Sequence, residues 1–166
     1  MSDQGFFILP SENKPLSVVL IEPDIPQNTG NIARLCMATN CELVLVRPFG
    51  FRLTDAGLQR AGMDYWKLLN PVILNDIDEF FEWSNNKRLF FLSAHGNKCY
   101  STIEYKENDV LVFGSESSGL PLKVLKWAQE HYSLITLPMV QNARCINVSS
   151  SVSASVYEAL KQIYNW

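Results

Sequence analysis

The sequence predicts an α/β protein in which a mainly parallel sheet is covered by helices on both faces. Short apolar runs rich in β-branched residues, such as SVVLIE at residues 17–22, alternate along the chain with segments of helical spacing. With 47% apolar residues, the 166-residue chain can bury one well-packed core but is short for two domains. We therefore expect a single domain over residues 17–166, preceded by an extension over residues 1–16.

The individual elements follow from apolar periodicity and from turn signals. Strands are expected at residues 17–22, 42–46, 72–74, 88–93, 110–113 and 134–137. Helices are expected at residues 31–38, around 55–61, at 76–83 with Asn75 or Asp76 as its cap, at 122–130, and from the serines at 149–151 onwards. Residues 23–31 are expected to form a proline-rich turn, residues 48–54 a loop, and residues 94–110 irregular chain.

Charge and cysteine usage exclude several classes of protein. The net charge is −3 and the pI is about 5.4, so any nucleic-acid surface must be a local patch. The four cysteines form no C-x-x-C pair and have no nearby histidine cluster, which disfavours zinc and redox motifs. The apolar run near the N-terminus is too short for a signal peptide or a membrane span. We expect a cytoplasmic protein that binds neither metal nor membrane.

The most informative stretch runs from residue 134 to residue 161. Its strand, LITLPM, turns at Pro138 and enters a polar loop that contains Asn142, Arg144 and Asn147. A helix follows, and its first turn is almost entirely serine. A helix N-terminus has backbone N–H groups without intrahelical partners, so this loop could bind a polar ligand. The alternative is that Ser149, Ser150 and Ser151 only cap the helix.

Two further loops directly follow predicted strands, at residues 26–34 (PQNTGNIAR) and 114–121 (GSESSGLP). The second has glycines that allow close approach of a ligand to the backbone. It is not a G-x-S-x-G nucleophile motif, and neither His95 nor His131 has an obvious carboxylate partner. It is not a Walker A loop either, because it lacks G-K-[ST]. By itself, this loop could be a simple turn.

Together, NTGNIAR, LVFGSESSGLP, and ITLPM with NARCINVSSSVSASVYEA resemble the three signature motifs of the SpoU branch of the SPOUT methyltransferases, the α/β-knot family. Their order and approximate spacing also match. The stretches IEPDIPQNTGNIARLC, PFGF and RAGMDYW are similar to the small single-domain subfamily that methylates the ribose 2′-oxygen of the tRNA wobble nucleotide, position 34. The resemblance spans about residues 17–163. It implies a C-terminal deep trefoil knot, a homodimer, S-adenosylmethionine as cofactor, and the anticodon stem-loop of tRNA as partner.

The resemblance also implies roles for individual residues. The cofactor-binding residues would be Leu92, Gly114, Glu116, Gly119, Leu137, Met139, Cys145, Ile146 and Asn147. The catalytic residues would be Asn31, Arg34, Ser149 and Tyr157, and the RNA-binding residues would be Arg34, Arg60 and Arg144. Alternatives remain for several of them: the leucines could be plain core, Arg34 a surface residue in a salt bridge, and Tyr157 part of a dimer contact or of the core.

The chain departs from the subfamily pattern at two positions. Ser118 stands where the subfamily commonly has Arg, and Cys145 stands where it has Ser. Two other functions stay open at this point. One is a non-catalytic RNA-binding knot protein that has lost its cofactor, and the other is a methyltransferase that acts on rRNA. Relatives of the second kind usually carry a separate RNA-binding domain, for which this chain has no room.

Overall fold

A seven-stranded parallel sheet runs through the part of the chain that the computed structural model describes, residues 8–54, 66–132 and 134–166. Its strands are β1 Leu16–Ile21, β2 Glu42–Val46, β3 Val72–Leu74, β4 Leu89–Leu92, β5 Lys98–Cys99, β6 Asp109–Phe113 and β7 Leu134–Thr136. The spatial order is β3-β2-β1-β6-β4-β7-β5, and every neighbouring pair is parallel. The predicted parallel sheet is confirmed.

Helices cover both faces of this sheet, as the sequence predicts. They are α1 Pro26–Thr39, α2 Trp66–Leu69, α3 Ile77–Trp83, α4 Leu122–His131 and α5 Val148–Tyr164, with a 3-10 turn at Tyr100–Thr102. Successive residues of β1 point to opposite faces. Val18 joins the core cluster that contains residues of α1 and α5, and Val19 joins the cluster that contains residues of α3 and α4. Since both faces are covered, the central strand β6 is buried along its whole length.

Helix α1 begins five residues earlier than predicted, so the prediction of a turn over residues 23–31 is wrong from Pro26 onwards. Pro26 occupies the first turn of the helix, where its missing N–H costs no hydrogen bond and its fixed φ suits the helix. The residue before it, Ile25, is extended and caps the helix without a side-chain bond. The proline was therefore a start signal rather than a breaker, and the polar residues Asn28 and Thr29 lie inside the helix.

The other differences are small. Within the stretch predicted to be irregular, Lys98–Cys99 forms the edge strand β5 and Tyr100–Thr102 a 3-10 turn. Helix α2 was not predicted, and the predicted helix at residues 55–61 lies outside the described residues. Helix α3 begins as expected after Asp76, whose carboxylate accepts a 2.8 Å hydrogen bond from the Glu79 N–H. Strands β2 and β3 have the predicted bounds.

All seven strands point the same way, so the loops that follow β1, β6, β4 and β7 meet at one edge of the sheet. The loop after β4 is fastened to β7 there. The Ser93 N–H donates to the Ile135 carbonyl over 3.0 Å, and the Asn97 N–H donates to the Leu134 carbonyl over 3.2 Å. Between them, Gly96 passes so close to β7 that a Cβ would stand 2.5 Å from the Ile135 carbonyl carbon. The trefoil knot itself stays a prediction.

Among the helices of the described ranges, none is long and apolar enough to cross a bilayer.

Candidate active site

A cavity of about 490 Å³ opens at the carboxyl edge of the sheet, between the loops that follow β4, β6 and β7. Its volume lies within the range of small-molecule sites, about 300–1,000 Å³. All nine residues predicted to bind the cofactor line it: Leu92, Gly114, Glu116, Gly119, Leu137, Met139, Cys145, Ile146 and Asn147. The structure thus brings together residues from three distant segments, and their role as cofactor ligands stays a prediction.

The loop after β6 is shaped by its two glycines. The backbone groups of Ser115 and Gly119 exchange two hydrogen bonds, of 3.0 Å and 2.9 Å, which close the loop into a tight turn. Gly119 has φ +70, a conformation that costs glycine little. A Cβ at Gly114 would stand 2.1 Å from the Gly119 carbonyl carbon. A side chain at residue 114 would therefore displace the backbone that forms this wall of the cavity.

Helix α5 starts at the cavity, and Asn147 is its cap. The Asn147 side-chain oxygen accepts hydrogen bonds from the Ser149 N–H at 2.9 Å, the Ser150 N–H at 3.4 Å and the Ser149 hydroxyl at 2.7 Å. The alternative in which Ser149, Ser150 and Ser151 only cap the helix is therefore wrong, because these serines lie inside its first turn. Ser151 lines the cavity.

The capping residue also begins a chain of hydrogen bonds that joins all three signature loops. The Asn147 side-chain N–H donates to the Asn28 side-chain oxygen over 3.1 Å, and the Asn28 side-chain N–H donates to Glu116 Oε1 over 3.0 Å. Glu116 Oε2 accepts from the Asp24 N–H over 2.7 Å. The two oxygens of Glu116 therefore bind the loop after β1, at Asp24, and the first turn of α1, at Asn28.

The Asp24 side chain also binds the loop after β6, which contains Glu116. Its carboxylate accepts a 3.2 Å hydrogen bond from the Ser117 N–H, and the Ser117 hydroxyl donates to the same oxygen. Sequence reasoning missed Asp24 and Asn28 because residues 23–31 were interpreted as a turn. The available signal was two polar residues placed directly after a buried strand that ends at the ligand edge of a parallel sheet.

The predicted catalytic residues lie elsewhere. Asn31 and Arg34 are exposed and stand one turn apart on α1, and Tyr157 is 49% exposed on α5. None of these three, nor Ser149, belongs to the described residues that line the cavity. Arg144 is exposed in the loop before α5, and Arg60 lies outside the described residues. The structure thus groups the predicted cofactor residues but does not bring the predicted catalytic residues to the cavity wall.

The four thiols differ in environment. Cys36 and Cys41 are buried at the end of α1, and burial raises the pKa of both, that of Cys41 to about 11. Cys145, in contrast, is exposed at the cavity. In the described part of the chain, no group of three or more His, Cys, Asp or Glu side chains could hold a metal ion.

Comparison with known families decides the classification of the chain. Residues 15–157 match the model of the SpoU rRNA methylase family. The chain belongs to the SpoU family. The resemblance seen in the sequence motifs is thereby confirmed.

Relatives within the SpoU family carry a more specific activity in their names. The tRNA (cytidine(34)-2'-O)-methyltransferase of Escherichia coli strain K12 is 42% identical over 148 residues, which cover 89% of this chain and 94% of that protein. A protein of the same name from Saccharophagus degradans is 41% identical over 147 residues, which cover 89% of this chain and 95% of that protein.

Solved structures of related proteins show the same fold. One, described as giving structural insights into 2-OH methylation of C/U34 on tRNA, is 36% identical with a TM-score of 0.83, and the match covers 91% of this chain and 97% of that chain. Another is AviRb from Streptomyces viridochromogenes, solved in complex with AdoMet. It is 22% identical with a TM-score of 0.77, and the match covers 93% of this chain and 60% of that chain.

Replacing Glu116 by Gln should loosen the cavity. An amide can accept only through its oxygen, so its NH2 group would face one of the two N–H donors that Glu116 now satisfies. We expect a loss of about 1–3 kcal/mol in the free energy of unfolding. We also expect weaker binding of S-adenosylmethionine. Urea unfolding and calorimetry measure the two effects.

Glu130→Gln on the exposed face of α4 is the matched control, and it should change neither quantity. If Glu116→Gln also left both unchanged, the hydrogen-bonded chain would not be what holds the loops together.

Proposed function

We propose that the cavity binds S-adenosylmethionine and that the enzyme transfers its methyl group to the 2′-oxygen of the ribose at position 34 of tRNA. The observation that carries this proposal is the convergence on one cavity of the nine residues that the resemblance names as cofactor-binding, which come from three segments. Relatives about 40% identical over nearly their whole length are named for that activity. The activity expected from the sequence therefore agrees with the names of the relatives.

The cavity suits the chemistry of this cofactor. Leu92, Leu137 and Ile146 offer apolar contact to a flat adenine ring, and the turn that Gly114 and Gly119 shape presents backbone groups close to the cavity. The polar side chains at the wall, which include Asn147 and Ser151, can hydrogen-bond a ribose or an amino-acid group. Cys145 stands at the wall in place of the subfamily's serine, and it can still contribute its backbone groups.

S-adenosylmethionine supplies a methyl group activated on a sulfonium sulfur. The protein must hold the ribose hydroxyl in line with that methyl group and stabilise the oxygen as its proton leaves. We assign Arg34 to the second task and to binding of the adjacent phosphate. A guanidinium stays protonated in proteins, so Arg34 acts through charge and hydrogen bonds rather than as a general base.

The separation of Arg34 from the cavity wall favours a site shared by two copies of the chain. Asn31, Arg34 and Tyr157 are exposed on α1 and α5, two helices that pack together on one face of the sheet. We propose a homodimer in which these residues reach a shared site, where they meet the anticodon stem-loop together with Arg144.

The proposed homodimer can be tested by sedimentation. An active protein that sediments as a monomer at micromolar concentration would contradict the homodimer. A tRNA substrate is in keeping with the cytoplasmic enzyme that the sequence predicts.

The proposed activity can be tested in cells. We expect one 2′-O-methyl group, at position 34 of a subset of tRNAs, to disappear when the gene is deleted and to return when it is restored. Mapping of 2′-O-methyl nucleotides in total tRNA and rRNA measures this. A lost methyl group in rRNA instead would assign the enzyme to the other RNA class, and no change in either would favour a non-catalytic protein.

Arg34→Ala should separate binding from chemistry. If Arg34 acts at the ribose, its loss should slow methyl transfer by roughly a hundredfold or more, the scale of one preorganised electrostatic group. The affinity for S-adenosylmethionine should stay nearly unchanged. Arg34→Lys keeps the charge but loses the planar fork, so it should recover only part of the rate. Single-turnover transfer of labelled methyl and calorimetric cofactor binding measure these effects.

Lys126→Ala, an exposed cation on α4, is the control for loss of a surface charge. Transfer by Arg34→Ala at the parent rate would remove Arg34 from the mechanism.

A further inference from the structure

A second cavity, of about 480 Å³, lies at the same carboxyl edge of the sheet, where β2 and β3 end. It is formed mainly by the loop at residues 47–54, which follows β2 and which we call the aromatic loop. The described residues that line it are Arg47, Pro48, Phe49, Phe51, Arg52, Leu53, Thr54 and Asn75. None of these described residues is acidic and two are arginines, so the described part of the wall carries positive charge although the whole chain is acidic.

The aromatic loop contacts the loop after β1, which also contacts the wall of the first cavity. The Gly50 N–H donates to the Pro23 carbonyl over 3.0 Å, and a Cβ at Gly50 would stand 2.8 Å from the Asp24 Cα. Asp24 in turn binds Ser117 at the wall of the first cavity. The Asp24 backbone therefore contacts the aromatic loop, while its side chain contacts the wall of the first cavity.

Two phenyl rings form a platform in this loop. The rings of Phe49 and Phe51 stack with their centroids 5.7 Å apart and their planes at 14°. Phe49 packs against the core, and the Arg47 guanidinium lies 5.1 Å from its ring centroid. Phe51 stacks on Phe49 and lines the cavity, where it is half-buried. This arrangement holds Phe51 in place from one side through Phe49.

We propose that the second cavity binds a nucleotide of the RNA substrate that neighbours the methylated one, with its base on Phe51 and its phosphate on Arg52. This inference rests on the proposed function. Proteins recognise unpaired RNA loops by stacking bases on aromatic rings and by pairing phosphates with the planar guanidinium fork. Both groups line one cavity here, at the same edge of the sheet as the first cavity.

Variants of Phe51 and Arg52 test the two contacts separately. Phe51→Leu keeps an apolar side chain but removes the ring, so the Kd for an anticodon stem-loop RNA should rise about tenfold, and Phe51→Trp should keep most of the affinity. Arg52→Gln should weaken binding and lower the slope of log K against log salt by about 0.7, the effect of one lost phosphate contact on a single strand. Phe51→Leu should leave that slope unchanged.

The base that stacks on Phe51 can be located with abasic RNA. We expect one abasic substitution beside position 34 to weaken binding to the parent protein about tenfold and to have no further effect on Phe51→Leu, since both remove the same contact. Lys126→Gln, on the exposed face of α4, is the matched charge control and should leave the affinity and the salt slope unchanged.

Several outcomes would overturn the inference. Parent-like RNA affinity of Phe51→Leu and Arg52→Gln, in a protein that still methylates position 34, would remove the second cavity from RNA recognition and leave the proposed function standing. If a fall in thermal stability or in S-adenosylmethionine affinity accounts for the whole loss of RNA affinity, the rings stabilise the fold rather than bind RNA. If the parent protein methylates no tRNA at position 34, the proposed function fails, while binding of the same stem-loop still reports on the platform.

Discussion

The hydrogen-bonded chain from Asn147 through Asn28 to Glu116 and Asp24 is the constraint on which the site depends. It joins loops that are 119 and 88 residues apart in sequence. Every bond is made between side chains, or between a side chain and a backbone N–H, at the edge of the sheet. A carboxylate that accepts two hydrogen bonds is a strong acceptor, because bonds to a charged group are about twice as strong as neutral ones. Glu116 thereby holds the loop after β1 against the loop after β6.

The parallel sheet explains why these loops meet at all. β1, β6, β4 and β7 are neighbours in space although they are distant in sequence, and each ends at the same edge. The buried strands are closely packed, so they fix the positions at which the loops begin. The side-chain hydrogen bonds then set how the loops are arranged relative to one another. The first cavity is the space left between loops fixed in this way. The aromatic loop after β2 extends the same edge by one strand.

Much of this arrangement could be predicted from the sequence. Continuous apolar runs such as β2 and β6 mark strands buried on both faces, and their alternation with helical segments predicts a parallel sheet. The nine residues predicted to bind the cofactor line one cavity, and their positions came from the resemblance to the family. What failed was local. The prolines of residues 23–31 predict a turn, although proline is also favoured in the first turn of a helix, and the predicted turn wrongly includes Asn28. The edge strand β5 has only two residues, too few for any period to show.

Pairings across the fold could not be predicted because no local pattern encodes them. Nothing near Asn28 in sequence indicates that its amide lies between Glu116 and Asn147. The roles of the two glycines also appear only when the loop is folded. Gly114 allows close approach of the backbone, and Gly119 has a positive φ. The positions of Arg34 and Tyr157 outside the cavity wall likewise follow from how α1 and α5 pack together, which a single sequence does not reveal.

The most direct test of the account compares two tRNA substrates that differ at one atom. One carries ribose at position 34 and the other carries 2′-deoxyribose there, and both are incubated with the purified protein and S-adenosylmethionine labelled in its methyl group. The account predicts transfer of one methyl group to the first and none to the second. Equal transfer to both substrates would show that the accepting atom is not the 2′-oxygen of nucleotide 34 and would contradict the account.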